Sequence, residues 1–374
     1  MDLRMKRTWA EVRLENIVHN MKAIRAALPA GTRFLGVVKA DAYGHGAVAV
    51  SRALEAHGAD YLAVSCLDEA LELRDGGVGL PILILGHTPV EYLSTLLARD
   101  LTQTVSNLAK AREYDAAAAA LGGRLRIHIK LDTGMSRLGF LCAGDHFAQG
   151  VENVAAACAC PHLLPEGVYT HFAMSDEPGE AARACTLEQL RLFRAMLSAL
   201  EERGLTFPLR HCANSGAVLN YPDTAFDMVR PGLLLYGYGD GGRLGLRPGM
   251  RLVSRVATIK HYDPGVAVSY GGLYTTDRPT RMGVIPVGYA DGLLRCLSNR
   301  CAFAVGGGLA PQRGRICMDM CMIDLTELPE AKVDSRVEIF GEHASLDALA
   351  QQAGTIPYEL LCAVSKRVPR VYVS

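Results

Sequence analysis

The sequence predicts a (β/α)8 barrel of the TIM type, followed by a mainly β C-terminal domain. Two patterns predict this fold. In the first two-thirds of the chain, eight short β-rich runs alternate with amphipathic helical stretches, and beyond that point β-rich runs follow one another with little helix between them. The main rival is a doubly wound open sheet, which is disfavoured because no Gly-x-Gly-x-x-Gly motif follows the first run.

The predicted barrel strands are short runs bounded by turn residues, and the stretches between them carry apolar residues at helical spacing. We predict the eight strands at 34–39, 61–65, 81–86, 102–106, 125–131, 167–172, 209–214 and 226–232. We predict helices at 15–28, 47–58, 67–76, 90–100, 108–121 and 181–204. The apolar side chains of the longest helix are assigned to the core.

A glycine-rich stretch at 239–242 marks the change between the two patterns. We therefore predict domains at 1–240 and 241–374. In the second domain Pro, Gly and Asp separate the β-rich runs, which is typical of a mainly β domain. We predict its strands at 252–260, 283–287, 302–305, 320–324 and 336–340, a short helix at 345–353 and a last strand near Val371.

The amino-acid composition disfavours several classes of function. Lysine plus arginine and aspartate plus glutamate number 39 each, so the charge is balanced and nothing favours nucleic acid or an anionic membrane as a partner. The 11 cysteines are scattered and odd in number, which indicates thiols in a reducing cytoplasm. Cys317 and Cys321 lack a second Cys or His pair at zinc-site spacing. With no apolar run long enough for a signal peptide or a membrane span, we expect a soluble cytoplasmic protein without a metal site.

Polar residues follow the ends of the predicted strands, where the working residues of such a barrel lie. One cation, Lys39, ends the first strand, and another, Arg230, lies in the eighth. Taken together, these residues predict a cationic site that is rich in hydrogen-bond donors, so we expect an anionic ligand. The residues at these positions are Lys39, Lys130, Arg137, His171, Asn214, Ser215, Arg230 and Gly232.

Two of these positions indicate the kind of ligand. The loops after the seventh and eighth strands are the usual phosphate site of the fold, because oriented N–H groups there stabilise phosphate oxygens. An amine such as that of Lys39, in a low-dielectric pocket near other cations, loses its proton readily and becomes a nucleophile towards an aldehyde. The combination predicts either pyridoxal phosphate or an aldolase-type Schiff base.

Nine short motifs, spread in order over nearly the whole chain, resemble those of the alanine racemase family. The first, at 38–46, reads Val-Lys-Ala-Asp-Ala-Tyr-Gly-His-Gly and is similar to the family's cofactor-lysine signature. The second, at 131–139, reads Leu-Asp-Thr-Gly-Met-Ser-Arg-Leu-Gly. The others lie at 169–172, 213–215, 229–232, 268–271, 287–292, 314–319 and 356–359.

The resemblance implies a site for pyridoxal 5′-phosphate. Lys39 holds the cofactor covalently, Arg230 faces its pyridine nitrogen, and Arg137 reaches its phenolic oxygen and the substrate carboxylate. Lys130 matches a position that is often carbamylated in the family, where the added carboxylate orients Arg137. The phosphate is held by Tyr43, Ser215, Gly232 and Tyr358 with a backbone N–H of Leu233, and the site also includes His171 and Asn214.

The resemblance also implies a homodimer with shared active sites. Tyr270 of the other subunit is the second base, and a chain from Tyr270 through His171 to Arg230 favours its phenolate. The Met318 backbone N–H, also from the other subunit, helps to bind the substrate carboxylate. The access corridor is lined by Asp176, Arg295, Arg315 and Asp319.

The implied reaction is the interconversion of L-alanine and D-alanine by two bases, Lys39 and Tyr270, which supplies D-alanine for peptidoglycan synthesis. A serine or broad-specificity amino-acid racemase is an alternative, since a pocket tuned to a methyl group rejects an added hydroxyl only weakly. A pyridoxal-phosphate barrel decarboxylase is disfavoured by the unbroken 38–46 motif and the Tyr270 motif. A non-catalytic pyridoxal-phosphate carrier barrel is disfavoured by the long β-rich second domain.

Overall fold

The structure is a computed structural model that describes residues 7–239 and 242–373. They form two compact units. The first, which we call the barrel unit, contains the described residues of 18–42 and 47–246. The second, which we call the β unit, contains the described residues of 1–17, 43–46 and 247–374. Each unit is therefore built from more than one stretch of chain.

Twenty β-strands and ten α-helices are formed by these described residues, if the left-handed turn after Lys39 is set apart. The strands are β1 Thr8–Arg13, β2 Arg33–Val37, β3 Tyr61–Val64, β4 Ile82–Ile84, β5 Thr102–Val105, β6 Leu125–Asp132, β7 Phe140–Leu141, β8 Leu163–Tyr169, β9 Leu209–His211, β10 Met228–Val229, β11 Met250–Arg255, β12 Thr258–Tyr262, β13 Ala267–Val268, β14 Tyr274–Thr275, β15 Thr280–Ile285, β16 Ala302–Val305, β17 Gly308–Arg313, β18 Cys321–Asp324, β19 Arg336–Phe340 and β20 Arg370–Val373. The helices are Leu14–Ala26, Ala47–Ala56, Leu67–Asp75, Leu93–Ala98, Leu108–Ala120, Phe147–Cys158, Glu180–Glu201, Ser215–Asn220, Leu346–Ala353 and Pro357–Ala363.

The barrel unit contains a nearly closed ring of parallel strands. Their order is β10, β2, β3, β4, β5, β6, β8 and β9, and each pairs in parallel with the next. Two main-chain hydrogen bonds cross the gap between β9 and β10. Asp227 N donates to Arg210 O over 3.0 Å, and Arg230 N donates to Ala213 O over 2.9 Å. The predicted eight-stranded barrel is confirmed.

Each predicted barrel strand overlaps one strand of the ring, and the six predicted helices are all present. The sequence pattern does not predict the helix Phe147–Cys158. Its buried residues are small and include Val151, Val154 and Ala157. This helix completes the strand–helix alternation between β6 and β8.

The β unit consists mainly of one nine-stranded sheet, in the order β12, β15, β18, β17, β16, β19, β11, β1 and β20. Strand β1 lies inside this sheet. It is antiparallel to β11, with Trp9 opposite Val253, and parallel to β20, with Glu11 opposite Val371. The sequence pattern assigns no strand there, because both partners of β1 lie far along the chain. The mainly β character predicted for the C-terminal part is confirmed.

The single strand predicted over 252–260 is wrong, because these residues belong to two strands with different partners. The chain turns at Val256 and Ala257, whose N–H groups donate to Ser335 O over 3.0 Å and Val284 O over 2.8 Å. Strand β11 then pairs with β1 and β19, while β12 pairs with β15. A continuous run of β-favouring residues does not reveal such a change of partner.

Three further observations concern membrane-spanning helices, metal ligands and cysteines. Among the described helices, none combines the length and the apolar character needed to cross a membrane. In the same part of the chain, no three His, Cys, Asp or Glu side chains are grouped as metal ligands would be. The cysteines are thiols, and Cys142, Cys212, Cys301 and Cys321 are buried.

Candidate active site

Lys39 follows strand β2 and begins an unusual backbone turn. The next four residues, none of them glycine, have positive φ angles: 52° for Ala40, 54° for Asp41, 53° for Ala42 and 52° for Tyr43. Each such residue costs about 1–2 kcal/mol, because its Cβ lies too close to the following carbonyl oxygen. Strained residues of this kind persist where the surroundings fix them, and they cluster at functional sites. The turn therefore marks Lys39 as a candidate site residue.

Several cationic side chains of the barrel unit influence one another at these strand ends. Lys130 lies in β6 and is only 4 % exposed. Burial lowers the pKa of its amine to about 8, together with the positive charges of Arg137 and Arg230. The charge of Lys39 acts in the same direction, and the carboxylate of Asp132 opposes it. Lys39, Arg137 and Arg230 are thus close enough to Lys130 to act on it electrostatically.

His171 experiences the same charges. Burial lowers the pKa of its imidazole to about 2, and the charges of Arg230 and Lys130 contribute. Its Nδ1 lies 3.5 Å from Nη2 of Arg230. The ring is therefore neutral near pH 7, and it stands beside Arg230 as the resemblance implies.

Arg230 is 4 % exposed, and the groups that hold it are neutral. Its Nη2 donates to the main-chain oxygens of Thr170 over 2.8 Å and Cys212 over 3.2 Å. Its Nη1 lies 2.9 Å from Nδ1 of His211. The guanidinium carbon lies 5.1 Å from the ring centroid of Tyr169. Burial lowers the pKa of Arg230, yet an arginine side chain keeps its proton in a protein.

These contacts fix the tautomers of two buried histidines. Arginine carries only donors, so Nδ1 of His211 accepts and the His211 proton sits on Nε2. That Nε2 lies 2.9 Å from Nδ1 of His128, which must accept in turn. The His128 proton therefore sits on Nε2, 3.9 Å from Oε2 of Glu166. Burial, aided by the charge of Arg230, lowers the pKa of His128 to about 3 and that of His211 well below its usual value, so both rings are neutral.

The sequence pattern does not predict His128 and His211 as partners of Arg230. One signal exists for His128, because it stands two residues before Lys130 in β6 and alternate residues of a strand point to the same face. His211 lies on β9, and β8 separates it from β6 in the ring. Only the closed barrel brings the two imidazoles together.

Ser215 and Gly232 meet where the loops after β9 and β10 come together. The Ser215 hydroxyl oxygen accepts from the main-chain N–H of Gly232 over 2.9 Å and of Leu234 over 3.4 Å. Leu233, between these two residues, begins a short 3-10 helix. The Ser215 oxygen is occupied as an acceptor, so its own proton is available for donation to a ligand.

Asn214 and Asp176 lie next to this loop. Oδ1 of Asn214 accepts from Ala217 N over 3.0 Å and from Ser175 Oγ over 2.7 Å. A Cβ at Gly216 would lie only 2.6 Å from the main-chain nitrogen of Asp176, so this position has no room for a side chain. The close approach places Asp176 beside the loop after β9.

Tyr43 and Tyr358 lie together in the β unit. Their ring centroids are 5.7 Å apart and the rings are inclined by 46°. Burial raises the pKa of the Tyr43 hydroxyl above its usual value, and Tyr358 adds to the effect, so this hydroxyl stays protonated. Gly44 has a φ of 79°, and a Cβ there would lie 2.3 Å from Leu361 O. Glycine is thus required at the residue after Tyr43.

Tyr270 is 73 % exposed and lines a surface cavity of about 550 Å³, together with Met318. The preceding residue, Ser269, has a φ of 66°, and its hydroxyl donates to Arg315 O over 2.9 Å. The Tyr270 loop is therefore tied to the segment that contains Arg315 and Met318.

Ion pairs anchor the residue after Met318. Asp291 is buried and pairs with Arg7 over 2.7 Å and with Arg367 over 2.8 Å. Arg367 also pairs with Asp319 over 2.7 Å. Hydrogen bonds to Asp291 and Asp319 raise the pKa of Arg367 above its usual value. The charges therefore fix the loop at Asp319, and with it the backbone of Met318.

The β-unit residues expected in the access corridor lie in neighbouring loops. Arg295 O accepts from Ser298 Oγ over 2.6 Å, and the same Oγ accepts from Ile316 N over 3.0 Å. Ser298 thus links the segment of Arg295 to that of Arg315. The expected site residues form two groups, one within each unit, and Asp176 is the corridor residue of the barrel unit.

Comparison with known proteins agrees with these observations over the whole chain. Residues 12–240 match the family model described as alanine racemase, N-terminal domain, and residues 249–372 match that described as alanine racemase, C-terminal domain. The chain is 44 % identical over 374 residues to the alanine racemase of Desulfovibrio desulfuricans, with 98 % of each chain covered. It is 44 % identical over 372 residues to that of Desulforamulus reducens, again with 98 % coverage of each.

Solved structures give the same result. The alanine racemase of Clostridium difficile 630 has a TM-score of 0.92 at 37 % identity, covering 99 % of this chain and 96 % of that one. The alanine racemase of Bacillus anthracis with bound L-Ala-P has a TM-score of 0.89 at 33 % identity, covering 99 % and 95 %. The residues at the strand ends, the nine motifs and the full-length matches all indicate the same family. The chain belongs to the alanine racemase family of isomerases.

Proposed function

We propose that the enzyme binds pyridoxal 5′-phosphate through Lys39 and interconverts L-alanine and D-alanine with Lys39 and Tyr270 as its two bases. The observation that carries the proposal is the group of cations at the barrel strand ends, where the charges of Arg137, Arg230 and Lys39 act on a buried Lys130. Alanine racemase is the activity of the family, and this group of side chains supports the cofactor and the division of roles.

The barrel unit suits a ligand that combines an aldehyde, a phosphate and a pyridine ring. The Lys39 amine is a partner for the aldehyde. The Ser215 hydroxyl proton and the main-chain N–H of Leu233 suit phosphate oxygens, and Gly232 lies beside them with its N–H donated to the Ser215 oxygen. The buried guanidinium of Arg230 is held by neutral groups and suits an electron-rich acceptor such as a pyridine nitrogen.

When bound, the cofactor supplies an electron sink that makes the Cα–H of the amino acid acidic. Racemisation then needs a proton removed from one face of Cα and another returned to the opposite face. A single base would return the proton to the face from which it came. We assign Nζ of Lys39 to the proton of D-alanine and Oη of Tyr270 to the proton of L-alanine.

Tyrosine is a poor base at its usual pKa of about 10, so Tyr270 needs cationic neighbours. We propose that Tyr270 comes from the second subunit of a homodimer and approaches His171, which contacts Arg230. The high exposure of Tyr270 in the single chain supports this assignment, because catalysis favours a site from which water is excluded.

The arginines have different tasks in this proposal. Arg137 binds the substrate carboxylate together with the Met318 backbone N–H of the second subunit. Arg230 keeps its own proton and would therefore leave unprotonated a pyridine nitrogen to which it donates. A weaker electron sink limits side reactions that need a long-lived carbanion.

Alanine is the substrate that we assign, in keeping with the small site implied by Tyr358. The D-alanine formed serves peptidoglycan synthesis. We place the enzyme in the cytoplasm, where its thiols stay reduced.

Deuterium exchange tests the proposed reaction. The purified enzyme, supplied with pyridoxal 5′-phosphate, is incubated with L-alanine in D2O and followed by NMR and chiral chromatography. We expect deuterium at Cα and the appearance of D-alanine, with serine exchanged at least about tenfold more slowly. Release of carbon dioxide would contradict the proposed racemisation. The two-base assignment would be contradicted if Lys39→Ala showed no exchange of L-alanine while Tyr270→Phe exchanged it fully.

We further propose that Lys130 carries a carbamate. The lowered pKa of about 8 provides neutral amine near physiological pH, and neutral amine is the form that adds carbon dioxide and releases a proton. The carboxylate formed would neutralise part of the positive charge around Arg137. With ¹³C-bicarbonate, we expect a ¹³C NMR carbamate signal that rises as the pH passes through 8 and disappears in Lys130→Ala. A signal that persists in Lys130→Ala would sink the assignment.

A further inference from the structure

The backbone immediately after Lys39 is fixed by a side chain outside the expected site. Ala40 has a φ of 52°, a left-handed conformation that residues other than glycine rarely adopt. Its N–H donates to Oε1 of Glu69 over 2.7 Å. Because Ala40 is the next residue after Lys39, this hydrogen bond acts on the peptide that links the two.

Both carboxylate oxygens of Glu69 are used. Oε2 accepts from Ser65 N over 2.6 Å, so one side chain joins the residues that follow β2 and β3. These two strands are neighbours in the barrel, with Val37 opposite Ala63. Glu69 itself lies in the helix Leu67–Asp75. All these residues belong to the barrel unit.

An ionised carboxylate suits this position better than an amide. It accepts two N–H groups, whereas glutamine has one oxygen and would turn its own N–H2 towards the second donor. The oxygens are also charge-assisted acceptors, which form stronger hydrogen bonds than neutral ones. Asp41 gives the turn a second support, because its Oδ1 accepts from Ala47 N over 2.7 Å.

We propose that Glu69 is a positioning residue that holds the left-handed turn and thereby sets the direction of the Lys39 side chain. The inference rests on the proposed role of Lys39. Without Glu69, Ala40 relaxes towards negative φ, the Lys39–Ala40 peptide rotates, and Nζ of Lys39 moves away from the carbon with which it exchanges a proton. A displacement of about 1 Å at a reacting group can cost on the order of a hundredfold in rate.

Kinetics and cofactor binding test the proposal through Glu69→Gln. We expect kcat to fall at least about tenfold and the Kd of the apoprotein for pyridoxal 5′-phosphate to rise about tenfold. The KM for alanine should change less than about threefold, because Arg137 binds the substrate carboxylate and is untouched. The matched control is Glu72→Gln, which removes the same charge from an exposed position of the same helix and should leave all three constants unchanged.

A second substitution separates positioning from general stability. Glycine adopts a φ near 50° at little cost, so Ala40→Gly makes the turn less dependent on Glu69. We expect it to restore at least about threefold in kcat to Glu69→Gln while changing the unsubstituted enzyme far less. Equal effects of Ala40→Gly in both backgrounds, or an unchanged kcat and cofactor Kd in Glu69→Gln, would overturn the proposal. If Lys39→Ala retained activity, the role of Lys39 itself would fail, which is a distinguishable result.

Discussion

Mixing Lys39→Ala subunits with Tyr270→Phe subunits is expected to restore racemase activity that neither variant has alone. Each variant homodimer lacks one base in both sites, so we expect each to lose at least about a thousandfold in kcat. In a mixed dimer, one site lacks both bases and the other has both. Random mixing in equal amounts makes about half of the dimers mixed, so the activity should return to roughly a quarter of the original.

The experiment is run with differently tagged subunits, separated after joint refolding or joint expression. The purified mixed dimer should then show about half the activity of the original enzyme, because one of its two sites is complete. Double-variant subunits that carry both substitutions serve as the control and should contribute nothing. If the mixed dimers stayed as inactive as their parents, the two bases would have to come from the same subunit.

Replacing Arg230 by glutamate is expected to change the balance of reactions as well as the rate. A carboxyl group at this position would be able to share a proton with the pyridine nitrogen of the bound cofactor, and this would strengthen the electron sink. We expect racemisation to fall at least about a hundredfold, because the interactions that Arg230 makes are lost. Transamination should rise, so that the amino group of alanine passes to the cofactor and pyruvate is released. Pyruvate formed per racemisation event, measured with lactate dehydrogenase, reports the change.

Controls are needed because Arg230 is buried among His211, Thr170 and Cys212. Arg230→Lys keeps the positive charge but loses the fork of donors, so it should lower the rate without releasing pyruvate. Circular dichroism and the thermal midpoint show whether each variant folds. A folded Arg230→Glu enzyme that forms no more pyruvate than the original would argue against control of the ring nitrogen by Arg230.

Much of the fold is predictable from local pattern. The eight barrel strands alternate with helices, and each predicted barrel strand falls on an observed one, because, apart from the pair of β10 with β2, barrel strands pair with strands that are near them in sequence. The strand-end residues can be predicted in the same way, because locating the ends of β2 and β10 is enough to identify Lys39 and Arg230. Residues such as Tyr270 are recognised by their motifs, because an exposed tyrosine carries no local signal of catalysis.

The rest depends on contacts that no local pattern contains. Glu69 looks like any acidic residue in the first turn of a helix, and its role appears only when β2 and β3 lie side by side. The same holds for His128 and His211, which meet across the barrel interior. The left-handed backbone after Lys39 cannot be predicted from the sequence either, because alanine and aspartate do not indicate positive φ angles.

The position of β1 determines the order in which the two units can be completed. This strand precedes the barrel in the chain, yet both of its neighbours, β11 and β20, follow the barrel. During synthesis both edges of β1 therefore wait with exposed N–H and C=O groups, and the long intervening chain makes pairing slow. In the barrel, β2 also waits for a distant partner, β10, but β10 precedes both β11 and β20 in the chain. Newly made enzyme should thus hold a formed barrel before it holds a finished β unit, and the appearance of activity should follow the later event, since Tyr270 belongs to the β unit.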